Sequence, residues 1–460
     1  MNIELASVSA PVIHRQVSPV TLTDATLAER KSKLLFRMQQ HHLDAVIIYA
    51  DREHGANFEY FTGFIPRFEE ACLVVQADGQ SRLLLGNENL KMASHARITA
   101  NAVHVPFFSL PNQPMAGERP FADYFHDAGL SPGNRIGVIG WKLFTANAMD
   151  NSGLFDLPAF IVDALREFVG EQGALVNATG ILISPQEGIR TLNNANEIAH
   201  YEYGATLAGA AMFDALQAIE PGKRESEVGA LLARAGQPNS VTTICATGDR
   251  FSHATLYPRD KTIQHQDKFA MTVGYKGGLS SRSGFVIERA DQLPIEQKDY
   301  LARVAKPYFR AYLTWLETIT VGLSGQAMYA TIESVLPRAD YGWTLNPGHY
   351  TADEEWLASP FFAGSTAVVQ SGQLFQIDII PSVKGYAGAS CEEPIAIADE
   401  GLRQQISSLY PEMWLRIQRR RAWLKEAINA ELQEDVLPLS DTVAFLTPFL
   451  LSKRQALVKR

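Results

Sequence analysis

Cysteine is scarce: the 460 residues hold three, Cys72, Cys245 and Cys391, with no two close together. That excludes a disulfide framework, a zinc knuckle and a Cys-x-x-Cys redox pair, and it suits a reducing compartment. Long apolar runs are lacking too, and nothing approaches the ~20 residues that span a bilayer. The first twenty residues, with Glu4 and His14 among them, show neither the basic start nor the unbroken apolar stretch of a secretory leader. A cytoplasmic location is the expectation. Basic charge is not in excess, with 41 Lys and Arg against 50 Asp and Glu and a formal net charge of −9. Nucleic acid and anionic membranes are therefore not expected partners. What remains is ordinary globular composition, 46% hydrophobic and 20% charged, long enough for two or three domains whose cores need no metal staple.

The apolar spacing from Ala28 to Gln40 predicts a helix, followed by the β-rich Leu43-Asp-Ala-Val-Ile-Ile-Tyr49. Further predicted strands are Ala71 to Gln76, Arg82 to Leu85, Ala102 to Val105 and Arg135 to Ile139, alternating with helical stretches as in a mixed sheet flanked by helices. Pro185-Gln-Glu-Gly188 reads as a linker. A long helix from Asn196 to Ile219 opens a second domain and stops at Pro221-Gly222. Strand-rich blocks follow at 269–286 and 374–397, separated by a helical region, and helix returns after Gly401. The expected organisation is a lead-in at 1–22, an α/β domain at 23–184, a second domain of helices and strand-rich blocks from 185, which the resemblance described next carries to 402, and a helical extension at 403–460.

Two anchors carry a resemblance. Leu43-Asp-Ala-Val-Ile-Ile48 with Asn57-Phe-Glu-Tyr-Phe-Thr-Gly-Phe64 resembles the amino-terminal domain of creatinase and prolidase. Arg190-Thr-Leu-Asn-Asn-Ala-Asn-Glu-Ile198 with Glu220-Pro-Gly-Lys-Arg-Glu-Ser-Glu-Val228 resembles the first helices of the pita-bread catalytic domain shared by aminopeptidase P, prolidase, creatinase and methionine aminopeptidase. The likeness runs collinearly over about residues 25 to 402. It implies an α/β creatinase/prolidase-like domain followed by an α+β pita-bread domain, hydrolase chemistry on a C–N bond, and a homodimer.

The peptidases of that family hold two divalent cations with two aspartates, a histidine and two glutamates, since paired cations need several carboxylates to offset their charge. The resemblance puts Thr272, in Asp267-Lys-Phe-Ala-Met-Thr-Val-Gly-Tyr275, at the first aspartate and the Ser281 to Ser283 stretch at the second. No Asp or Glu occurs from Lys268 to Ile287, and Arg282 stands where an anion is needed. His349, in Asn346-Pro-Gly-His-Tyr350, matches the histidine. Asp378 stands in for one glutamate, and Glu392 matches the other with Glu393 as the competing register. His253 matches the substrate-facing histidine that moves protons in metal-free creatinase.

The expected function is thus a creatinase- or Xaa-Pro-peptidase-like hydrolase of a small polar substrate, working without a dinuclear metal and without a cofactor. His253, His349 and Glu392 are the expected catalytic residues; Asp378, Arg67 and Arg282 are expected to bind substrate. Two alternatives stand beside it: an inactive homologue that binds a small molecule or peptide, and an Xaa-Pro peptidase with one weakly held divalent metal at His349, Asp378 and Glu392.

Each residue also has a plainer role. His253 reads otherwise as an ordinary loop residue, His349 as a local backbone partner after a Pro-Gly turn, and Asp378 as a structural hydrogen-bond acceptor in an apolar strand. Glu392 and Glu393 project to opposite faces of a regular strand, so one reaches the site and the other is expected in solvent. Arg67 either contacts a neighbour's substrate or pairs with Glu69 or Glu70. Arg419-Arg-Arg421 is expected on the wet face of an amphipathic helix.

Overall fold

The computed structural model describes residues 1–249 and 256–460. Two compact units emerge, one from Leu22–Arg190 and one from Met1–Thr21 together with Thr191–Arg460.

In the Leu22–Arg190 unit six strands run in the spatial order Asn101–His104, Ser81–Leu85, Ala71–Gln76, Ala45–Ala50, Arg135–Ile139, Ala174–Asn177. Parallel and antiparallel pairs mix, with Ala45–Ala50 antiparallel to Ala71–Gln76 and parallel to Arg135–Ile139. All six residues of Ala45–Ala50 are buried, which is why this stretch reads as a continuous apolar run. The Asp24–Gln40 helix begins where the Thr23 side chain accepts from the Thr26 amide. The unit extends past the predicted linker to Arg190, whose buried guanidinium donates to Asn57 Oδ1 at 2.7 Å and lies over the Tyr60 ring. That anchorage moves the boundary from 184 to 190.

In the other unit the Ala195–Ala218 helix is opened by a reciprocal cap between Asn194 and Glu197. Backbone passes very close to it: a Cβ on Gly204 would lie 1.9 Å from the Lys276 carbonyl oxygen. One four-stranded sheet has the order Ser390–Glu392, Gly278–Phe285, Lys268–Tyr275, Ile244–Thr247, and a second has His349–Tyr350, Leu374–Gln376, Pro394–Ile397, Val436–Pro438. The hairpin joining Lys268–Tyr275 to Gly278–Phe285 turns at Gly277 and Gly278, with φ of +100° and +151°, which side chains on L-residues disfavour.

Both chain ends depart from expectation. The 1–22 stretch is no loose lead-in, because Ile3–Ser7 pairs with Gln455–Lys459. The 403–460 stretch is helical only in its first part and then supplies strands to two sheets. The arginine run is not simply a wet face either. Arg420, 4% exposed, donates to Asp441 Oδ1 at 2.7 Å, Glu202 Oε1 at 2.7 Å and Thr206 Oγ1 at 2.9 Å. Arg416 adds a bidentate grip on Glu202, Arg421 donates to the Gln433 carbonyl, and Arg419 alone of the three is exposed. His14 completes the network, with its backbone amide 2.7 Å and its ring 2.9 Å from the Asp441 carboxylate. Burial acts to raise the Asp441 carboxyl, but the charge of Arg420 and the bonds from His14 prevail and hold it at about 2.

Removing the central cation strands two buried carboxylates. Arg420→Met is expected to cost about 3–5 kcal/mol in urea unfolding, whereas Arg419→Met stays within about 0.5 kcal/mol of the parent.

Candidate functional site

Strand register decides which side chains meet. Ser281 lies opposite Thr272 on one side and Glu392 on the other, while Arg282 lies opposite Met271 and Cys391. Directly opposed residues share a face, so Thr272, Ser281 and Glu392 share one and Arg282 projects from the other.

On the first face the hydroxyls bind one another. Thr272 donates to Ser281 Oγ at 3.1 Å, and Ser281 and Ser390 meet at 2.8 Å. Ser283 belongs to the same face, one step along. On the reverse face, Arg282 is 1% exposed and fully engaged: Nε donates to the Phe445 carbonyl at 2.9 Å, Nη1 to the Ser281 carbonyl at 2.7 Å, and Nη2 to Glu393 and the Thr442 carbonyl at 2.6 Å. Arg282 is therefore not a substrate-binding residue; its donors are spent holding the fold. Glu393 is not solvated either. It is fully buried and accepts from Arg282, Ser280 Oγ at 2.7 Å and Thr442 Oγ1 at 2.6 Å. Of the two competing glutamates, Glu392 is the one on the hydroxyl face.

Glu392 comes together with Asp378, Glu355 and His349. His349 pairs with Gln376 across the second sheet, which brings Asp378, two residues further on, alongside the imidazole. Nε2 lies 3.7 Å from Asp378 Oδ2 and 3.9 Å from Glu355 Oε1. The other ring nitrogen is 3.1 Å from the Tyr350 carbonyl, which can only accept, so Nδ1 carries the proton and Nε2 of the neutral ring is a bare acceptor. Trp356 stacks on the ring with centroids 4.0 Å apart.

Burial governs the protonation of this group. It lowers the tendency of His349 to protonate, against the pull of Asp378. It raises the Glu392 carboxyl well above the carboxylate range, helped by the Asp378 charge and a hydrogen bond to Asp378. It pushes Glu355 up to about 7, again with Asp378 adding. Burial and the neighbouring Asp378 charge thus favour the protonated form of Glu392, and burial favours the neutral form of His349.

The remaining expected residues lie elsewhere. His253 falls outside the described residues. Arg67 belongs to the Leu22–Arg190 unit, exposed, with its guanidinium 4.6 Å over the Phe68 ring. The surface pair with Glu69 does not form, because the buried Glu69 carboxylate accepts from the Glu88 amide at 3.0 Å. Glu355 escaped the sequence reading: it sits in the acidic run Asp353-Glu-Glu355, six residues after His349, and only the fold shows that this run turns inward.

Comparison with known proteins bears on the architecture. The Creatinase/Prolidase N-terminal domain profile matches residues 30–147. A prolidase from Thermococcus sibiricus superposes with a TM-score of 0.64 at 15% identity, covering 83% of this chain and 96% of its own. A Bacillus anthracis Xaa-Pro dipeptidase gives 0.61 at 18% identity, covering 81% and 96%, and an X-Pro aminopeptidase from Thermotoga maritima gives 0.60 at 14%, covering 80% and 95%. The chain has the two-domain creatinase/prolidase pita-bread fold. No curated protein matches it. No helix among the described residues is long and apolar enough to cross a membrane.

The two-cation centre associated with the pita-bread fold does not fit these residues. Its two aspartate positions are neutral hydroxyls already bonded to one another, which leaves too few carboxylates to offset two divalent charges. Among the described residues no group of three or more His, Cys, Asp or Glu is arranged to hold a metal ion.

The raised Glu355 value carries a sign. Between 4.5, its ordinary value, and about 7 the folded chain keeps a proton that the unfolded chain has released. Its contribution to stability is thus complete below the ordinary value and is lost as pH rises through about 7. Glu355→Gln removes this dependence. Relative to the variant, the parent is expected to lose about 2 kcal/mol between pH 4.5 and 8 in urea unfolding, partial exposure of the side chain included.

Proposed function

We propose that the chain is a hydrolase of C–N bonds in small polar molecules that works without a two-cation centre. One observation carries this reading: a bonded row of hydroxyls, Thr272, Ser281 and Ser390, lies on the Glu392 face where a two-cation centre would need carboxylates. The residues can divide the chemistry. The bare Nε2 of His349 takes the proton of an attacking water, and the protonated Glu392 gives one to the departing nitrogen as the C–N bond breaks. Asp378 orients Glu392 and balances the imidazolium that forms. His253, which the resemblance casts as a proton carrier, is a second candidate for the base. A cytoplasmic setting suits three free, buried cysteines.

The test is metal analysis and turnover on one preparation. Dialysed protein should carry less than one tightly held divalent ion per chain and release amine from a panel of Xaa-Pro dipeptides and guanidino or amide substrates with chelator present. Glu392→Gln should lower that turnover by about two to four orders of magnitude. Two ions per chain with chelator-sensitive Xaa-Pro cleavage would overturn the proposal; a single ion would favour the mononuclear peptidase, and tight ligand binding without turnover the inactive homologue.

We also propose a homodimer in which the exposed Arg67–Phe68 loop of one copy closes the pocket of the other. Light scattering should give the mass of two chains, and Arg67→Ala chains mixed with Glu392→Gln chains should regain activity through one intact site. No recovery after verified subunit exchange would count against a shared pocket.

A further inference from the structure

The six-stranded sheet of the Leu22–Arg190 unit ends on one side at Asn101–His104, with no further strand beside it among the described residues. This strand runs parallel to Ser81–Leu85, and just beyond it the Val105 amide donates to the Leu85 carbonyl at 2.8 Å. Alternate residues of a parallel ladder turn their backbone to the partner strand. Asn101 and Val103 therefore face inward with Val105, while Ala102 and His104 each turn an amide and a carbonyl to the open side. Proline and lysine, which blunt many exposed edges, are missing from Asn101–His104. A cleft of about 450 Å³ lies along the strand, lined by all four of its residues and by Arg82 and Arg119. Asp127 is the one carboxylate among the described lining residues, and Arg119 pairs with it at 2.7 Å. Arg82 stands opposite Asn101 and shares its face. Its guanidinium reaches the Ser81 carbonyl at 3.1 Å and Gln80 Oε1 at 3.3 Å, and among the described residues no carboxylate pairs with it. The opposite edge of the sheet, Ala174–Asn177, differs in charge: its cleft of about 490 Å³ carries Glu167 and Glu171 beside Arg166.

We propose that the Asn101–His104 edge docks an extended acidic segment of a partner protein, which adds to the sheet as a further strand and lays alternate Asp or Glu side chains toward Arg82 and Arg119. Backbone that offers donors and acceptors in alternation is matched by another backbone. An inorganic anion answers the donors alone and leaves the Ala102 and His104 carbonyls bare. Strand side chains two residues apart share a face, so one extended segment brings two carboxylates to the arginine side together. A guanidinium with no carboxylate of its own is then free to form a bidentate pair with one of them. A second copy of this chain suits the edge less well, because twofold pairing would set two positively charged clefts side by side. The docking site is separate from the carboxyl cluster of the other unit and does not depend on any reading of its chemistry.

Calorimetric titration of the full chain tests this, with acetyl-Thr-Glu-Val-Glu-Thr-amide as the probe. Three comparisons accompany it: the peptide with both glutamates replaced by lysine, the glutamate peptide methylated on every backbone nitrogen, and inorganic phosphate. The expected result is saturable one-to-one binding of the glutamate peptide, at least tenfold tighter than each comparison and weakened at least tenfold by Arg82→Gln. Ala102→Pro, which removes an outward amide and leaves the ladder to Ser81–Leu85 intact, should weaken it as much. Should that variant fail to fold, the methylated peptide tests the same bonds from the other side. Amide hydrogen exchange read by mass spectrometry should slow at Asn101–His104 with the glutamate peptide and stay unchanged with phosphate. Equal affinity for the lysine or the methylated peptide, or no saturable binding, would overturn the inference. Phosphate bound as tightly as the peptide would make the cleft a small-anion site instead. A parent dimer that Ala102→Pro turns into a monomer would give the edge to a second copy, and either result overturns the inference too.

Discussion

Burying Asp378 and Glu392, with the half-buried Glu355, beside one imidazole is the constraint around which the catalytic-type domain is arranged. Gathered where His349 is 0% exposed, Glu392 and Glu355 have their ionisation opposed by burial and by the neighbouring Asp378 charge. Both carboxyls are raised in consequence, Glu392 well above its ordinary value and Glu355 to about 7. The neutral hydroxyl row of Thr272, Ser281 and Ser390 completes the arrangement: the strands that could have brought further anions bring self-satisfied polar groups instead.

The charged residues that might have complicated this balance are settled on the reverse face. Glu393 follows Glu392 directly, yet strand alternation sends it through the sheet to Arg282, whose donors it shares with carbonyl oxygens of Phe445, Ser281 and Thr442. Neighbouring residues thus send the Glu392 carboxyl to one side and a structural ion pair to the other. Farther out, Glu202, Arg416, Arg420, Asp441 and His14 tie the amino-terminal segment and the carboxy-terminal segment to the long helix.

Local patterns carried most of the architecture. The apolar run at Ala45–Ala50 and the helix after Asn194 are legible because burial on both faces and a polar cap leave marks in adjacent residues. The pairing of Ile3–Ser7 with Gln455–Lys459 leaves none, since its partners lie at opposite ends of the chain. The four-residue strand Ala174–Asn177 is too short to show a period. Arg420 was readable in principle: Met413, Ile417, Arg420 and Leu424 lie on one helical stripe, and all are buried. In the site, the missing aspartates are plain from composition between Lys268 and Ile287, and the opposite facing of Glu392 and Glu393 follows from strand geometry. Which of them faces His349 depends on register with Ser281, and the inward turn of Glu355 depends on the loop after His349; neither is encoded locally.

The central claim is that mutually bonded hydroxyls stand where carboxylates would be needed to hold two cations. Anomalous diffraction at the manganese edge, from crystals grown with excess manganese, looks directly at that volume. The account predicts no anomalous peak between Thr272, Ser281 and Glu392, with Glu392 in contact with Asp378 and the Thr272–Ser281–Ser390 hydroxyls still bonded. Two peaks a few ångströms apart, bridged by Asp378 and Glu392, would contradict it.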